Sequence, residues 1–163
     1  MGSELIRVET DAGYAAARTL FQEYAMQLGI DLGFQGFDAE LERLPDIYGP
    51  PAGVLLLARD AGDFAGCVGV RHWSEFSCEI KRLYVRAGAR GSGLGRALVR
   101  AAIGHAERIG YRRMLLDTLP DMRAARALYS ALGFRHCEAY RHNPIAGSAY
   151  MALDLASCRQ AAR

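Results

Sequence analysis

A glycine-rich segment in the second half of the chain has the residue types that can bind an anion. It reads Arg90-Gly91-Ser92-Gly93-Leu94-Gly95. A strand-like run, residues 78–85, precedes it, and residues 94–109 follow with apolar positions at helical spacing. Backbone amides that no side chain covers converge on an anion at the start of a helix, where the helix dipole adds favourable potential. The segment therefore predicts a phosphate-binding loop.

The spacing within the loop excludes two common nucleotide-binding motifs. A Walker loop ends in Gly-Lys-Ser/Thr, but here Arg96 and Ala97 follow Gly95. The dinucleotide fingerprint needs a third glycine at the position that Arg96 occupies. The pattern that does fit is Arg/Gln-x-x-Gly-x-Gly/Ala, which Arg90, Gly93 and Gly95 fill. This pattern resembles the coenzyme A pyrophosphate loop of the GCN5-related N-acetyltransferases, the GNAT family.

A second motif supports the same resemblance. A short apolar strand at residues 114–118 is followed by an amphipathic helix at residues 122–132. The end of this helix, Leu128-Tyr129 with Gly133-Phe134, is similar to the Leu-Tyr-x-x-x-Gly-Phe element of the family. Because both motifs and the elements around them occur in the family's order over roughly residues 78–155, the chain is identified as GNAT-like.

The resemblance implies one α/β domain, which we expect to cover residues 1–156, followed by a C-terminal tail at residues 157–163. In this family a mixed, twisted, mostly antiparallel sheet carries helices on both faces. Its fourth and fifth strands splay apart, and the pantetheine arm of coenzyme A lies in the gap. The implied coenzyme contacts are backbone groups of Leu83, Tyr84 and Val85 on the fourth strand, and of Arg90, Gly91, Ser92, Gly93, Leu94, Gly95 and Arg96 in the loop.

Acetyl transfer to an amine needs two proton movements, and the resemblance implies a residue for each. The amine must lose a proton before it attacks the thioester, and the departing thiolate must be protonated or stabilised. The family places the hydroxyl of Tyr129 near the coenzyme sulfur, and it often carries a glutamate on the fourth strand, here Glu79. Two alternatives stay open. Tyr129 could be a core aromatic residue, and Glu79 could form a surface ion pair with Lys81, two residues away on the same strand face, or with an arginine.

The acceptor side of the predicted site has fewer signals. Asp117 ends the fifth strand, where it is either structural or holds a substrate amine. Tyr140 and Asn143 belong to a Tyr-x-x-Asn-Pro segment that resembles one in a subset of the family, although Asn-Pro also suits a turn. We expect residues 30–37 to cover the cleft from the other side. Met122 stands where relatives often have an asparagine that contacts the coenzyme, so that contact is missing or is made by another residue.

Composition excludes several classes of protein. The 163 residues carry a formal net charge of +2, which is too small for a nucleic-acid footprint. No apolar run approaches the roughly 20 residues of a membrane span, and the N-terminus lacks the features of a signal peptide. The cysteines and histidines show no metal-like spacing, so we expect free thiols in a reducing cytoplasm and no metal. Four arginines near the glycine loop suit either phosphate binding or a solvated helix face: Arg86, Arg90, Arg96 and Arg100.

The first half of the chain is predicted to form a strand, two helices and a hairpin. Asp11 is the predicted N-cap of a helix that ends at Leu28, and Pro45 is predicted to end a second, short helix. Residues 54–58 and 64–70 read as two strands joined by a hairpin turn whose centre is Ala-Gly.

Together these features predict a coenzyme A-dependent N-acetyltransferase in which an amine attacks acetyl-coenzyme A directly. One alternative is a binding module that senses acyl-coenzyme A without turnover. Another is an enzyme of the same fold that uses a different acyl group or a hydroxyl acceptor. A catalytic pair such as Tyr129 and Glu79 favours turnover, since a sensor would not need it. The sequence does not identify the acceptor, a small-molecule or peptide amine, and it leaves the oligomeric state open, a homodimer included.

Overall fold

The computed structural model describes residues 2–155, in which seven strands and five α-helices follow one another along the chain. The strands are β1 (Glu4–Arg7), β2 (Val54–Asp60), β3 (Asp63–His72), β4 (Ser77–Val85), β5 (Arg113–Thr118), β6 (Arg135–His136) and β7 (Ala149–Asp154). The helices are α1 (Asp11–Leu28), α2 (Phe37–Glu42), α3 (Leu44–Tyr48), α4 (Leu94–Ile109) and α5 (Arg123–Ala131). The predicted C-terminal tail, residues 157–163, lies outside the described residues.

The strands form one sheet in the order β1-β2-β3-β4-β5-β7-β6. All neighbours are antiparallel except β4 and β5, which run parallel and pair only where residues 77–79 face residues 113–115. Beyond that point β4 stays paired with β3, while β5 stays paired with β7 as far as Thr118. The two central strands therefore diverge toward their C-terminal ends. This divergence confirms the mixed α/β sheet with splayed central strands that the sequence predicts.

Each face of the sheet packs against its own apolar core. Because successive strand residues point to opposite faces, Val68 and Ile80 pack with α4 and α5, whereas Leu57 and Cys67 pack with α1 to α3. Strand β2 is buried on both faces from residue 54 to residue 58 and reads as a continuous apolar run. Each fully buried leucine contributes about 2 kcal/mol, so this strand anchors both helical layers to the sheet.

A β-bulge in β4 determines which side chains reach the fork between β4 and β5. The register with β3 shifts between Cys67 and Gly69, and Arg82 has a φ of +61°. Positive φ is uncommon for a residue other than glycine, so surrounding contacts must hold this conformation. As a result, the consecutive side chains of Lys81 and Arg82 both donate hydrogen bonds to Gln35, which lies in a short 3₁₀ turn before α2. A regular strand would send one of them to the opposite face.

Two local predictions in the first half of the chain are wrong, and one is confirmed. Thr10 is the N-cap of α1, because its hydroxyl accepts a backbone hydrogen bond of 3.1 Å; Asp11 is the first helical residue, where its charge suits the helix dipole. Pro45 lies in the first turn of α3 instead of ending a helix, since a missing N–H costs no hydrogen bond there. Ala61 and Gly62 both have positive φ, as the predicted hairpin turn requires.

Candidate active site

The divergence of β4 and β5 opens a cleft with a volume of about 560 Å³. Its walls include β4, the glycine loop and the start of α5. Half of the residues that the resemblance assigns to coenzyme A line it, namely Leu83, Tyr84, Val85, Arg90 and Gly95. The other half form the loop and the first turn of α4 beside the cleft, namely Gly91, Ser92, Gly93, Leu94 and Arg96. Arg123, which the sequence interpretation did not single out, also lines the cleft.

The loop leaves backbone amides without a side-chain cap at the start of α4. Gly91 and Gly93 have φ values of +79° and +89°, which glycine adopts without strain. Because Gly93 is the N-cap, no side chain caps the amides of Leu94, Gly95 and Arg96. These N–H groups and the dipole of a 16-residue helix favour an anion at this point. The position beside the cleft fits the pyrophosphate of coenzyme A.

Two of the four arginines near the loop have structural partners. Arg86 forms an ion pair with Glu23 on α1, with an N–O distance of 2.6 Å. Arg90 donates its Nε–H to the carbonyl of Val85 at 2.9 Å, so a pantetheine amide would have to share or displace that contact. Arg96 and Arg100, which lies one turn further along α4, are exposed. The ion pair of Arg86 argues against phosphate binding by that residue, whereas phosphate binding by the exposed arginines stays a prediction beside the alternative of a solvated helix face.

A narrower recess continues from the cleft into the fork between β4 and β5. The two spaces share wall residues, namely Tyr24, Leu83, Leu119 and Met122. The recess has a volume of about 30 Å³. Its polar lining residues come from separate parts of the chain, namely Tyr24, Gln35, Lys81, Arg82, Asp117, Thr118, Tyr129 and Asn143. Asp117, Tyr129 and Asn143 are predicted from the sequence as site residues. Gln35 lies in the segment 30–37 that is predicted to cover the cleft, whereas Lys81 is not predicted as a site residue. A cleft that opens into a polar recess is an arrangement that suits the binding of two substrates next to each other.

Tyr129 presents a protonated hydroxyl to the recess. Its ring is buried on α5 and packs against Phe134 at a centroid distance of 5.3 Å. Burial, followed by the nearby Tyr24 and Asp117, raises the pKa of Tyr129 above its usual value. Within residues 2–155 the hydroxyl has no hydrogen-bond partner. The ring therefore belongs to the core, while the hydroxyl is a neutral donor that is free to serve a ligand.

Glu79 is fully buried, and both of its oxygens are occupied. Oε2 accepts a hydrogen bond from the Tyr140 hydroxyl at 2.6 Å, and Oε1 accepts one from Arg141 at 2.8 Å. The Tyr140 ring is held edge-on against Trp73 at 5.0 Å. Burial and the charge of Glu79 raise the pKa of Tyr140, so its hydroxyl stays protonated. The alternative of an ion pair with an arginine is confirmed as to the partner, which is Arg141, but the pair is largely buried instead of lying on the surface. The alternative of an ion pair with Lys81 is wrong.

Asp117 and Asn143 form a hydrogen-bonded pair on the β5 side of the recess. The side-chain amide of Asn143 donates to Oδ2 of Asp117 at 3.1 Å, and its oxygen accepts the N–H of Ile145 at 3.0 Å. The Asn-Pro segment thus forms a turn and lines the recess as well, so its two interpretations are compatible. Glu79 and Tyr140 do not border the recess itself.

Lys81 is the recess residue whose importance the sequence interpretation missed. It is the chain's single lysine, its side chain is nearly inaccessible, and Nζ donates to Oε1 of Gln35 at 3.3 Å. Within the part of the chain that the structure describes, it forms no ion pair with a carboxylate. Burial, followed by the charge of Arg82, lowers the pKa of Lys81 to about 8. The available signal was that the chain's single lysine lies in a predicted strand, next to Ile80 and Arg82.

Replacing Lys81 by methionine is expected to stabilise the protein at neutral pH. The pKa of this amine falls from 10.5 in water to about 8 in the folded protein, so the native state resists carrying the charge. Each pKa unit corresponds to about 1.4 kcal/mol. At pH 7 the buried ammonium therefore lowers the free energy of unfolding by roughly 3 kcal/mol, and a methionine of similar shape removes that cost.

The sign of the pH dependence follows from proton linkage. Between pH 8 and pH 10.5 the unfolded chain holds a proton that native Lys81 has lost, so this group makes stability rise with pH across that window. The stability difference between Lys81→Met and the parent should be largest at pH 7 and should shrink toward pH 10. Denaturant unfolding at both pH values measures it. A variant that is less stable than the parent at both would contradict the cost assigned to the buried charge.

Comparison with known proteins identifies the family of this site. The model of the acetyltransferase (GNAT) family matches residues 14–134. The chain belongs to the GNAT acetyltransferase family. An uncharacterized N-acetyltransferase of Schizosaccharomyces pombe is 45% identical over 140 residues, which make up 85% of this chain and 86% of that protein. The GNAT resemblance of the glycine loop and the Leu-Tyr-x-x-x-Gly-Phe element is thus confirmed at the level of the family.

Solved structures share the GNAT fold at low sequence identity. An acetyltransferase of the GNAT family from Staphylococcus aureus MU50 superposes with a TM-score of 0.77 at 19% identity, covering 94% of this chain and 99% of that one. YncA from Salmonella typhimurium, solved with its cofactor acetyl-CoA, has a TM-score of 0.70 at 19% identity and covers 95% of each chain. These likenesses confirm the fold that the motifs imply.

This GNAT member departs from the family pattern at the start of α5. Met122 lines both the cleft and the recess and is the N-cap of α5, which no side chain caps. A thioether accepts hydrogen bonds only weakly, so Met122 does not replace the polar contact of the usual asparagine. Arg126, one turn further, donates to Thr118 at 2.8 Å and to the carbonyl of Gly147 at 2.9 Å, which ties α5 to β5 and to the following loop.

Other predicted properties of this GNAT domain concern its cysteines, metals and membranes. Cys67, Cys78 and Cys137 are free thiols, and the first two are buried, as the sequence predicts. Burial raises the pKa of Cys78 to about 12, so its thiol is unreactive at neutral pH. Residues 2–155 contain no group of three side chains that could hold a metal ion. In the same residues no helix has both the length and the apolar character needed to cross a membrane.

Proposed function

We propose that this GNAT protein transfers an acetyl group from acetyl-coenzyme A to an amine by direct attack. The observation that carries the proposal is the continuity between the coenzyme cleft and the recess that contains Tyr129. A pyrophosphate at the start of α4 leaves the rest of the coenzyme to follow the unpaired edge of β4 toward the fork. The acyl group then meets the polar groups of the recess. Buried free thiols are compatible with a reducing compartment such as the cytoplasm.

Tyr129 is proposed to stabilise the leaving sulfur. As the amine nitrogen bonds to the carbonyl carbon, the carbon–sulfur bond breaks and the sulfur keeps the electron pair. The pKa of Tyr129 is raised by burial, whereas a thiol has a pKa of about 8.5. Full proton transfer from Tyr129 is therefore uphill, and its contribution is a hydrogen bond to the developing thiolate. A preoriented donor acts strongly in a site from which water is excluded.

The proton of the attacking amine is proposed to pass to Glu79 through Tyr140. The Tyr140 hydroxyl donates to Oε2 of Glu79 at 2.6 Å, so it can give its own proton to the carboxylate while it accepts one from the amine. Asp117 lines the recess and is proposed to hold the ammonium form of the acceptor before this transfer. Tyr140 does not border the recess itself, so this step requires its hydroxyl to become accessible to an amine that is held at Asp117.

The pH profile of kcat/KM tests the role of Glu79. A base on the protein gives an acidic limb at a pKa that stays fixed when acceptors of different basicity are compared. An amine that deprotonates in solvent gives a limb at its own pKa instead. We expect the fixed limb in the parent protein and its loss in Glu79→Gln.

Two further variants test the roles of residues other than the proposed base. Tyr140→Phe keeps the pair between Glu79 and Arg141 but removes the relay, so it should also lose the fixed limb. Asp117→Asn should raise KM for the amine and retain the limb. A limb that tracks the pKa of the acceptor in every protein would exclude Glu79 as the base and leave positioning as the main catalytic contribution.

The overall reaction is tested with a panel of amines. Thiol release from acetyl-coenzyme A should depend on the amine, and mass spectrometry should show an acetylated product in equal amount. Calorimetry on the same preparation measures binding of the coenzyme. Tight coenzyme binding with no acceptor-dependent thiol release across the panel would favour a sensor of acyl-coenzyme A over an enzyme.

A further inference from the structure

The polar face above β4 holds one cation more than its carboxylates neutralise. Arg82 forms a buried, bidentate pair with Glu40 at 2.9 and 3.1 Å. Arg141 is paired with Glu79. Lys81 lies between Glu79 and Arg82 in sequence. The charges of Glu79 and Asp117 favour its protonated form, but within residues 2–155 no carboxylate lies within ion-pair distance of its Nζ. A buried charge without a direct ion-pair partner is costly, so an anion that enters the recess gains by pairing with Lys81.

Gln35 supplies a second donor beside this cation. Its Oε1 accepts hydrogen bonds from Lys81 at 3.3 Å and from Arg82 at 2.8 Å, which fixes the orientation of the amide. The NH₂ end of Gln35 donates to no group in the described part of the chain, and the residue borders the recess. An ammonium group and an amide NH₂ side by side match the two oxygens of a carboxylate.

The β5 wall of the same recess carries a negative charge instead of a positive one. Asp117 accepts one hydrogen bond at Oδ2 from Asn143, and its Oδ1 has no partner among the described residues. Both Asp117 and Lys81 border the recess that contains Tyr129. The recess therefore has a carboxylate that can bind an amine and an ammonium group that can bind an acid. Tyr129, whose hydroxyl is proposed to face the sulfur, lines the same recess.

We propose that the acceptor is an amino acid, whose carboxylate is bound by Lys81 and Gln35 while its amine faces Asp117 and the thioester. This inference rests on the proposed function and specifies its acceptor. Lys81 is assigned a role in substrate specificity, because it contacts the acceptor and not the reacting bond. Amines without a carboxylate leave the buried ammonium uncompensated, and they are expected to be poor substrates for that reason.

Kinetics with matched acceptors test the proposal. Phenylalanine is compared with phenylalanine amide and with 2-phenylethylamine, and the comparison is repeated for other amino acids in the panel. For at least one amino acid, kcat/KM should exceed that of its amide and of its decarboxylated amine by about tenfold or more, the effect of one charge-assisted hydrogen bond. Lys81→Met should reduce this preference to about twofold or less. The matched variant Arg135→Met removes a cation from the exposed edge strand β6 and should keep the preference.

The single lysine provides a readout that does not depend on turnover. Protein labelled with ¹³C at lysine Cε gives one lysine resonance, and its shift against pH reports the pKa of Lys81, about 8 without ligand. In protein saturated with coenzyme A, the preferred amino acid should raise this pKa, whereas the matching amide should not.

The two readouts separate this proposal from the acetyltransferase assignment. An unchanged lysine pKa with every amino acid would overturn the carboxylate site. Equal kcat/KM for acids and amides would overturn it as well, even if the protein is an active acetyltransferase. A raised pKa without any acetylated product would support the carboxylate site and would count against the proposed reaction instead.

Discussion

The Gly95→Asp variant is expected to fold normally and to lose most of its affinity for acetyl-coenzyme A. Gly95 is the second residue of α4 and borders the coenzyme cleft. A Cβ at this position would meet Leu128 at 3.5 Å, an ordinary van der Waals contact. Aspartate in the first turn also suits the helix dipole. Its charge, however, would lie where the amides are expected to hold the pyrophosphate. Two like charges about 4 Å apart repel by about 4 kcal/mol at a partly exposed site, so we expect affinity to fall by about 10²-fold or more.

Calorimetric titration of acetyl-coenzyme A measures the loss, and Gly95→Ala is the matched control. Alanine adds the same Cβ without a charge and should retain affinity within a few-fold, with equal or greater thermal stability because it favours the helix. Gly93 is less suited to this test, because its φ of +89° would strain any other residue. Equal affinity of the aspartate variant and the parent would show that the glycine segment is only a tight turn.

Tyr129→Phe is expected to lower kcat by about 10²-fold or more with little change in coenzyme binding. The substitution keeps the buried ring and its contact with Phe134, and it deletes a hydroxyl that has no partner among residues 2–155. No buried polar group is therefore left unsatisfied, and stability should change little. The loss in rate follows the usual contribution of a positioned proton donor, about 10²- to 10⁴-fold.

Steady-state and single-turnover rates of thiol release measure this effect and establish whether chemistry limits the rate. Tyr14→Phe is the control, since it makes the same chemical change at a buried tyrosine of α1 outside the cleft and the recess. Its turnover should match that of the parent. A normal kcat in Tyr129→Phe, with chemistry shown to be rate-limiting, would leave Tyr129 with a packing role only.

Local sequence patterns predicted most of the elements and the coenzyme side of the candidate site. The helix predicted for residues 94–109 has the observed ends. A glycine lies directly before it and another directly after it, and both adopt the positive φ that glycine tolerates. The glycine loop and Tyr129 were found because each belongs to a short motif whose geometry depends on adjacent residues. The errors at Asp11 and Pro45 also concern local signals. Two neighbouring residues could each cap the first helix, and a proline can either end a helix or lie in the first turn of the next one, so the sequence does not distinguish these cases.

The acceptor side was decided by tertiary structure. Glu79 and Arg141 are 62 residues apart in sequence, and Arg82 and Glu40 are 42 apart, so neither buried pair is visible in a local pattern. The bulge in β4 is equally hidden, because Arg82 adopts positive φ only when its contacts across the fold hold it there. That bulge places Lys81 in the recess, where it has no ion-pair partner among the described residues. The sequence alone thus determined the family and predicted the glycine loop and Tyr129 as site residues. Only the folded chain decided which charges are neutralised, because ion pairing depends on distances across the sheet and on burial.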